Sequence, residues 1–244
     1  MPRFFAPAQQ LREDTITLMG ENAAHAKVLR LHAGDEVTVC DGEGTDLRCA
    51  VESLSGGELT LRVLSRAASE SEARVRCSVY MAFPKADKLE HVIQKATELG
   101  AAEIVCFPMQ RCVSRPDEKS LPKKLERWQR IAASAAEQSG RGVIPRVLAL
   151  GSYAEALVRA SQASLALCFY ENEDKLTLRG AIGDADFSDA AILTGPEGGF
   201  APVEIEQARA AGLRICTLGR RILRCETAPL CALTAVLFAS GALD

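Results

Sequence analysis

The chain changes its pattern once, near residues 66–74, and that change constrains its fold more than any other feature. Up to about residue 66 the sequence runs in short segments, 15–18, 36–40, 47–51 and 58–63, in which apolar and polar residues alternate. A period of two is that of strands with one buried face. Asp41-Gly42-Glu43-Gly44 and Ser55-Gly56-Gly57 supply residues tolerant of positive φ between these segments, as hairpins require. A small β-barrel is the expected result. The first of these turns precedes a strand rather than a helix, so its glycines do not read as a phosphate loop.

Beyond the small, polar stretch Ala67-Ala68-Ser69-Glu70-Ser71-Glu72 the regime differs. Apolar runs at 75–82, 103–107, 165–170, 191–194 and 215–218 alternate with stretches of helical periodicity. That alternation argues for a parallel sheet covered by helices, an α/β domain. The boundary between the two regimes divides the chain into residues 1–70 and 71–244. One helix is expected to start at Asp87, as cap, with Glu90 reaching back. It buries Leu89, Val92, Ile93, Ala96 and Leu99, stops at Gly100, and carries Lys88, Gln94, Lys95 and Glu98 on its other face. A second, near 121–138, buries Leu125, Trp128, Ile131, Ala132 and Ala135 and leaves Lys123, Lys124, Arg127 and Arg130 largely elsewhere.

Composition narrows the function. The 48% hydrophobic and 25% charged residues are ordinary for globular protein. The longest apolar stretch, 228–243, is broken by Thr234 and Ser240 and reads as a buried helix, so no membrane partner is expected. Met1-Pro2-Arg3-Phe4-Phe5 lacks the pattern of a secretory signal, which makes the cytoplasm the expected location. Nine cysteines form no Cys-x-x-Cys pair, and they read as reduced, mostly buried thiols. The three histidines fit no zinc spacing, so no metal is expected. Net charge is −3, yet residues 111–146 hold nine basic against four acidic side chains, and 155–189 reverse the balance at three against seven. Such a basic face suits an enzyme selective for RNA, because phosphate contacts need only local positive potential; the same charges could equally be a solvated, salt-bridged surface.

Two C-terminal loops carry the chemistry. Thr194-Gly195-Pro196-Glu197-Gly198-Gly199-Phe200 joins an apolar strand to a helix opened by Pro202. Its glycines remove side chains where a ligand could approach the backbone, and such loops at the carboxyl ends of parallel strands are where open α/β sheets bind ligands. Glu197, among glycines, either faces a ligand or caps the next helix. The second loop is Leu218-Gly219-Arg220-Arg221-Ile222-Leu223-Arg224-Cys225-Glu226-Thr227-Ala228. Three arginines beside an apolar helix require partners or a use, and Glu226 is the obvious partner for one of them. A purely structural clasp, with Thr227 capping the helix, remains open. No dinucleotide-binding, P-loop or hydrolase motif is present.

At these residues the chain resembles the RsmE group of the SPOUT superfamily, bacterial small-subunit ribosomal RNA uridine N3-methyltransferases. The resemblance spans nearly the whole chain. It is carried by Arg3-Phe4-Phe5, His25-Ala26-Lys27-Val28-Leu29-Arg30, Lys95-Ala96-Thr97-Glu98-Leu99-Gly100, Ala136-Glu137-Gln138-Ser139-Gly140-Arg141 and the two loops. It implies a PUA-like β-barrel, a C-terminal α/β domain with a deep trefoil knot, and a homodimer with its active site at the interface. It also implies S-adenosylmethionine as cofactor, held by Phe169, Tyr170, Thr194, Gly195, Pro196, Glu197, Gly198, Gly199, Leu218, Gly219, Ile222 and Leu223. The chain departs from the family pattern at Cys225, where threonine is expected, which trades a good hydroxyl donor for a weak thiol.

The implied partner is 16S ribosomal RNA or the small ribosomal subunit. Uracil N3 carries an imide proton and is not nucleophilic until that proton leaves. Arg224 is expected to stabilise the resulting charge, and Glu226 to orient it or transfer the proton. Arg3, Lys27, Arg30, Lys95, Arg111, Arg115 and Arg141 are expected to contact phosphates. Two other readings keep the fold: a 2′-O-ribose RNA methyltransferase, and a non-catalytic RNA-binding assembly factor.

Overall fold

The alternating residues of the N-terminal region pack into one small core beneath a curled sheet. Its strands are β1 (Arg3–Phe5), β2 (Thr15–Met19), β3 (Glu36–Cys40), β4 (Thr45–Ser55) and β5 (Glu58–Ala68). They hydrogen-bond in the order β1-β3-β4-β5-β2, with β1 parallel to β3 and the other pairs antiparallel. The long β4–β5 hairpin changes register at Arg48/Cys49 and again at Val51/Ser53, and extra residues of this kind bend a strand and increase its twist. The sheet thereby wraps Phe4, Ile16, Leu18, Val39, Leu47 and Leu61. A short helix, α1 (Glu21–Val28), buries only Ala23 and Ala26.

The computed structural model describes residues 1–183 and 186–243, Arg12 through its backbone only. It comprises two units: Met1–Glu72 with Ala136–Ile144, and Ala73–Ala135 with Pro145–Asp244. The returning segment has no local signal in the sequence, because long-range pairing holds it. Gly44 N–H donates to Gly142 O and Ile144 N–H to Gly42 O, both at 3.0 Å.

The second unit is built on a six-stranded parallel sheet: β6 (Arg76–Ala82), β7 (Glu103–Phe107), β8 (Arg146–Ala149), β9 (Leu165–Phe169), β10 (Asp189–Thr194) and β11 (Arg214–Cys216). The order is β11-β9-β10-β6-β7-β8. Its helices are α2 (Lys88–Glu98), α3 (Leu121–Ser139), α4 (Tyr153–Ala160), α5 (Leu178–Ile182), α6 (Pro202–Ala210) and α7 (Thr227–Ala239). Tyr80, Phe107, Cys168, Leu193 and Ile215 form one face and pack with Tyr153 and Leu157 of α4 and Ile205 of α6. Val79, Met81 and Ile192, alternating with these, are as deeply buried; α7 packs on β6 and β10, with α2 beside it. Helices on both sides explain why these strands read as continuous apolar runs.

Three expected element ends, two of helices and one of a strand, need correction. Asp87 does not cap α2: its φ of −88° and ψ of 7° lie outside the extended region from which a cap side chain reaches back, and Ala86 makes the entry turn at a φ of 52°. Thr227 is the first residue of α7 rather than its cap, and the preceding Glu226 makes no side-chain cap bond either. The strand expected to run to Leu218 stops at Cys216. Gly100 does close α2, with a φ of 100°, and Pro202 does open α6.

Candidate active site

The strand register brings the two loops together. Thr194 lies opposite Phe169 and opposite Met81, and Cys216 lies opposite Phe169, so β6, β9, β10 and β11 end side by side. The chain runs from β6 outward to β7 and β8, then crosses to the other side for β9. The resulting gap at the carboxyl ends is a topological switch point, where open parallel sheets bind ligands. A cavity of about 440 Å³ sits there, within the usual size of small-molecule sites.

Every residue expected to hold the cofactor lines this cavity, from Phe169 and Tyr170 through 194–199 to Leu218, Gly219, Ile222 and Leu223. The glycines are explained chiefly by the protein itself. A Cβ at Gly195 would stand 2.9 Å from the Phe200 ring, and one at Gly198 would stand 2.9 Å from Arg111 Cβ. Gly199 has a φ of 64° and faces Glu171, and its N–H closes a turn onto Pro196 O at 2.9 Å. Tyr170 meets the Phe200 ring edge-on, while Tyr170 N–H donates to Cys216 O at 3.1 Å. In the arginine-rich loop, the amides of Leu218 and of residues 220–223 have no protein acceptor among the described residues. Free backbone donors along a pocket with aromatic and aliphatic walls suit a nucleoside whose base is recognised by main chain.

The acidic residues do not hold what the sequence assigned them. Glu197 neither caps α6 nor stands alone: its Oε1 accepts from Lys85 N–H at 3.0 Å and from Lys88 Nζ at 3.0 Å. Glu204, from the first turn of α6, closes that helix end instead by accepting from Ala201 N–H at 2.8 Å. Glu226 pairs with Lys88 Nζ at 3.2 Å rather than with an arginine, because α2 places that lysine between the two loops. Glu226 itself is not part of the cavity wall, whereas Lys88 and Arg224 are. The Arg224 side chain is exposed and makes no hydrogen bond or ion pair among the described residues.

Electrostatics follow from this wiring. Burial works against the Glu197 carboxylate, but bonds from its own amide, Lys88 and the Lys85 amide hold its pKa below the ordinary value. The Glu226 pKa is also lowered, first by its own backbone amide and then, against burial, by Cys225 and Lys88. Burial pushes the Cys225 thiol up to about 12, and its hydrogen bond to Glu226 adds to the shift. Cys225 is therefore a neutral donor to Glu226, at 3.3 Å, rather than a nucleophile.

The expected phosphate contacts separate into two groups. Arg3 grips Asp46 with both terminal nitrogens, one bond being 2.8 Å, and its side chain is only 12% exposed. Arg141 is 4% exposed and pairs with Glu72, which also accepts from Gly142 and Val143 N–H at 3.0 and 3.1 Å. Both are structural clasps of the first unit, since a guanidinium already paired and buried cannot meet a phosphate without breaking that pair. Lys27, Arg30, Arg111 and Arg115 are exposed. Lys95 is half-buried and paired with Glu98, and Arg111 also reaches Gly198 O at 3.0 Å. Lys88 is the site residue the sequence did not single out. Only its three-dimensional position between residues 197 and 226 distinguishes it from the other lysine of α2, Lys95.

Comparison with known proteins places this geometry. Residues 71–237 match an RNA methyltransferase domain model and residues 18–64 an RNA methyltransferase PUA domain. The ribosomal RNA small subunit methyltransferase E of Bacillus subtilis is 36% identical over 98% of this chain and 96% of its own. The Neisseria gonorrhoeae ribosomal RNA small subunit methyltransferase E, solved bound to S-adenosyl methionine, superimposes with a TM-score of 0.87 at 33% identity over 98% of both chains. A Legionella pneumophila protein solved with bound SAM gives a TM-score of 0.84 at 30% identity over 98% of this chain and 97% of its own. A curled N-terminal sheet, a six-stranded parallel α/β unit and a cavity at its switch point thus come with matches along nearly the whole length, and the chain belongs to the ribosomal RNA small subunit methyltransferase E family.

Proposed function

We propose that this protein methylates N3 of a specific uridine in 16S ribosomal RNA, with S-adenosylmethionine as the methyl donor. The observation that carries this reading is the cavity at the ends of β9, β10 and β11, lined by all twelve residues that the family resemblance assigns to the cofactor. When bound there, the cofactor would supply a methyl group already activated on a sulfonium. The 195–199 turn and the free amides of the arginine-rich loop hold and orient it, and alignment of the reacting atoms supplies much of the rate. Arg224, exposed at the cavity rim, stabilises charge on the acceptor base. Glu226 acts through Lys88 rather than as a direct partner of Arg224.

The first unit and the exposed Lys27, Arg30, Arg111 and Arg115, with Lys95, contact the RNA backbone, and the target base is presented from an irregular, unstacked region. The enzyme works as a homodimer in the cytoplasm. Supporting the dimer, α7 is apolar around its circumference, yet only the stripe of Pro229, Ala232, Leu233, Val236 and Leu237 is buried. Cys231 and Phe238, two turns apart on the other side, are exposed, Phe238 by 70%. An all-apolar helix is normally covered on every face, and α7 begins at the cofactor loop, so a second copy there would complete the site. Purified protein, labelled cofactor and small subunits or free 16S RNA test the reading. Label recovered as N3-methyluridine supports it; label recovered as alkali-resistant 2′-O-methyl dinucleotides refutes it.

A further inference from the structure

Lys88 is held more firmly than any other cation at the cavity. Its Nζ lies 3.0 Å from Glu197 Oε1 and 3.2 Å from Glu226 Oε2, carboxylates supplied by two different loops. Its remaining neighbour is Cys225 Sγ at 3.6 Å. An ammonium has three N–H donors. Two meet carboxylates, and the third meets a sulfur, the weakest acceptor of the three, which a carbonyl oxygen would outcompete. Lys88 also lines the cavity while Glu226 does not, so the cation faces the ligand space and the carboxylate stands behind it.

We propose that Lys88 is a catalytic residue, whose ammonium exchanges the Cys225 sulfur for a carbonyl oxygen of the acceptor pyrimidine and stabilises its imide anion. The inference rests on the uridine N3 acceptor proposed above and assigns its second charge partner. N3 lies between two carbonyls, so the anion's charge is shared by two oxygens, one for Arg224 and one for Lys88. The imide proton leaves to solvent. The N3 lone pair then forms the bond to the methyl carbon as the electron pair of the carbon–sulfur bond returns to sulfur. Lys88 stays protonated throughout: the hydrogen bond to Glu197 raises its pKa against the pull of burial, and Glu226 adds to the rise. A positive charge held next to an ionising group lowers its pKa by roughly one to three units.

The test is kcat and KM for RNA methylation by full-length wild type, Lys88→Met, Lys88→Arg and Glu226→Gln, from about pH 6 to about pH 10, with cofactor affinity measured by calorimetry. Near neutral pH, kcat of Lys88→Met falls roughly 10- to 100-fold, and its half-maximal pH rises by about one to two units, so that alkaline conditions restore much of the rate. Lys88→Arg keeps most of the wild-type profile, Glu226→Gln, which removes a negative charge beside the ammonium while Glu197 still holds it, does not raise the half-maximal pH, and cofactor affinity changes by less than about threefold. A loss equal at all pH values, a cofactor affinity that falls in parallel with kcat, or an unchanged Lys88→Met overturns the proposal. Should Lys88→Met fail to fold, the Lys88→Arg and Glu226→Gln profiles decide alone. A wild type that methylates something other than uridine N3 overturns the parent reading, which an active wild type with an indifferent Lys88 leaves intact.

Discussion

Gly195→Ala separates two reasons for a glycine at the cavity. If the residue is there to admit a ligand, alanine weakens cofactor binding and leaves the folded protein alone. The geometry says otherwise: the new Cβ would meet Phe200 Cε2 at 2.9 Å and Cδ2 at 3.1 Å. Phe200 is 2% exposed and its ring is held edge-on by Tyr170, so it can yield only by disturbing that packing. Overpacking of this kind costs about 1–3 kcal/mol. Phe200→Leu alone costs roughly 1–2 kcal/mol in lost packing but removes the atoms that clash. The double variant should therefore be more stable than the sum of the singles by about 1 kcal/mol. Trp128, the single tryptophan of the chain, is 4% exposed and belongs to the second unit, so its fluorescence in urea follows the unfolding of the unit that contains the cavity. Strictly additive midpoints at constant slope, or a Gly195→Ala variant of wild-type stability with lost cofactor binding, would refute the packing account.

Arg141→Met should destabilise the first unit by about 1–3 kcal/mol, because the half-buried Glu72 carboxylate loses its guanidinium partner and keeps only the Gly142 and Val143 amides; circular dichroism in urea measures this, and the folded fraction should bind RNA with an unchanged salt slope. Arg30→Gly should act oppositely. Arg30 has a φ of 55°, so glycine relieves up to about 1 kcal/mol of backbone strain, while RNA affinity falls and the salt slope drops by about one. Alkylation near pH 8, followed by peptide mapping, should spare Cys225, whose thiol is pushed up to about 12, and should reach Cys231, on the face of α7 assigned to the dimer, only once the dimer is dissociated; native-state modification of Cys225 would contradict its placement.

The sequence exposes what depends on local pattern and hides what depends on juxtaposition. The apolar runs of β6, β7, β9 and β10 are legible because both faces are covered, and the cavity loops because glycine and proline cluster at a strand end. The three residues of β1 and the four of β8 are too short to carry a period, and α1 buries two alanines, too little for an amphipathic signal. Glu226 read as the partner of a nearby arginine because sequence shows only neighbours along the chain; its actual partner, Lys88, lies 138 positions earlier in the chain. Arg3 and Arg141 read as phosphate ligands for the same reason, since Asp46 and Glu72 are brought to them only by folding.

The central claim is chemical: one uridine of the small-subunit RNA acquires a methyl group on N3 through this protein. Nucleoside mass spectrometry of 16S ribosomal RNA from cells lacking the gene, and from the same cells carrying it on a plasmid, tests it most directly. The account predicts that N3-methyluridine is absent from the first sample and restored in the second. Persistence of every methyluridine in the cells lacking the gene would contradict it.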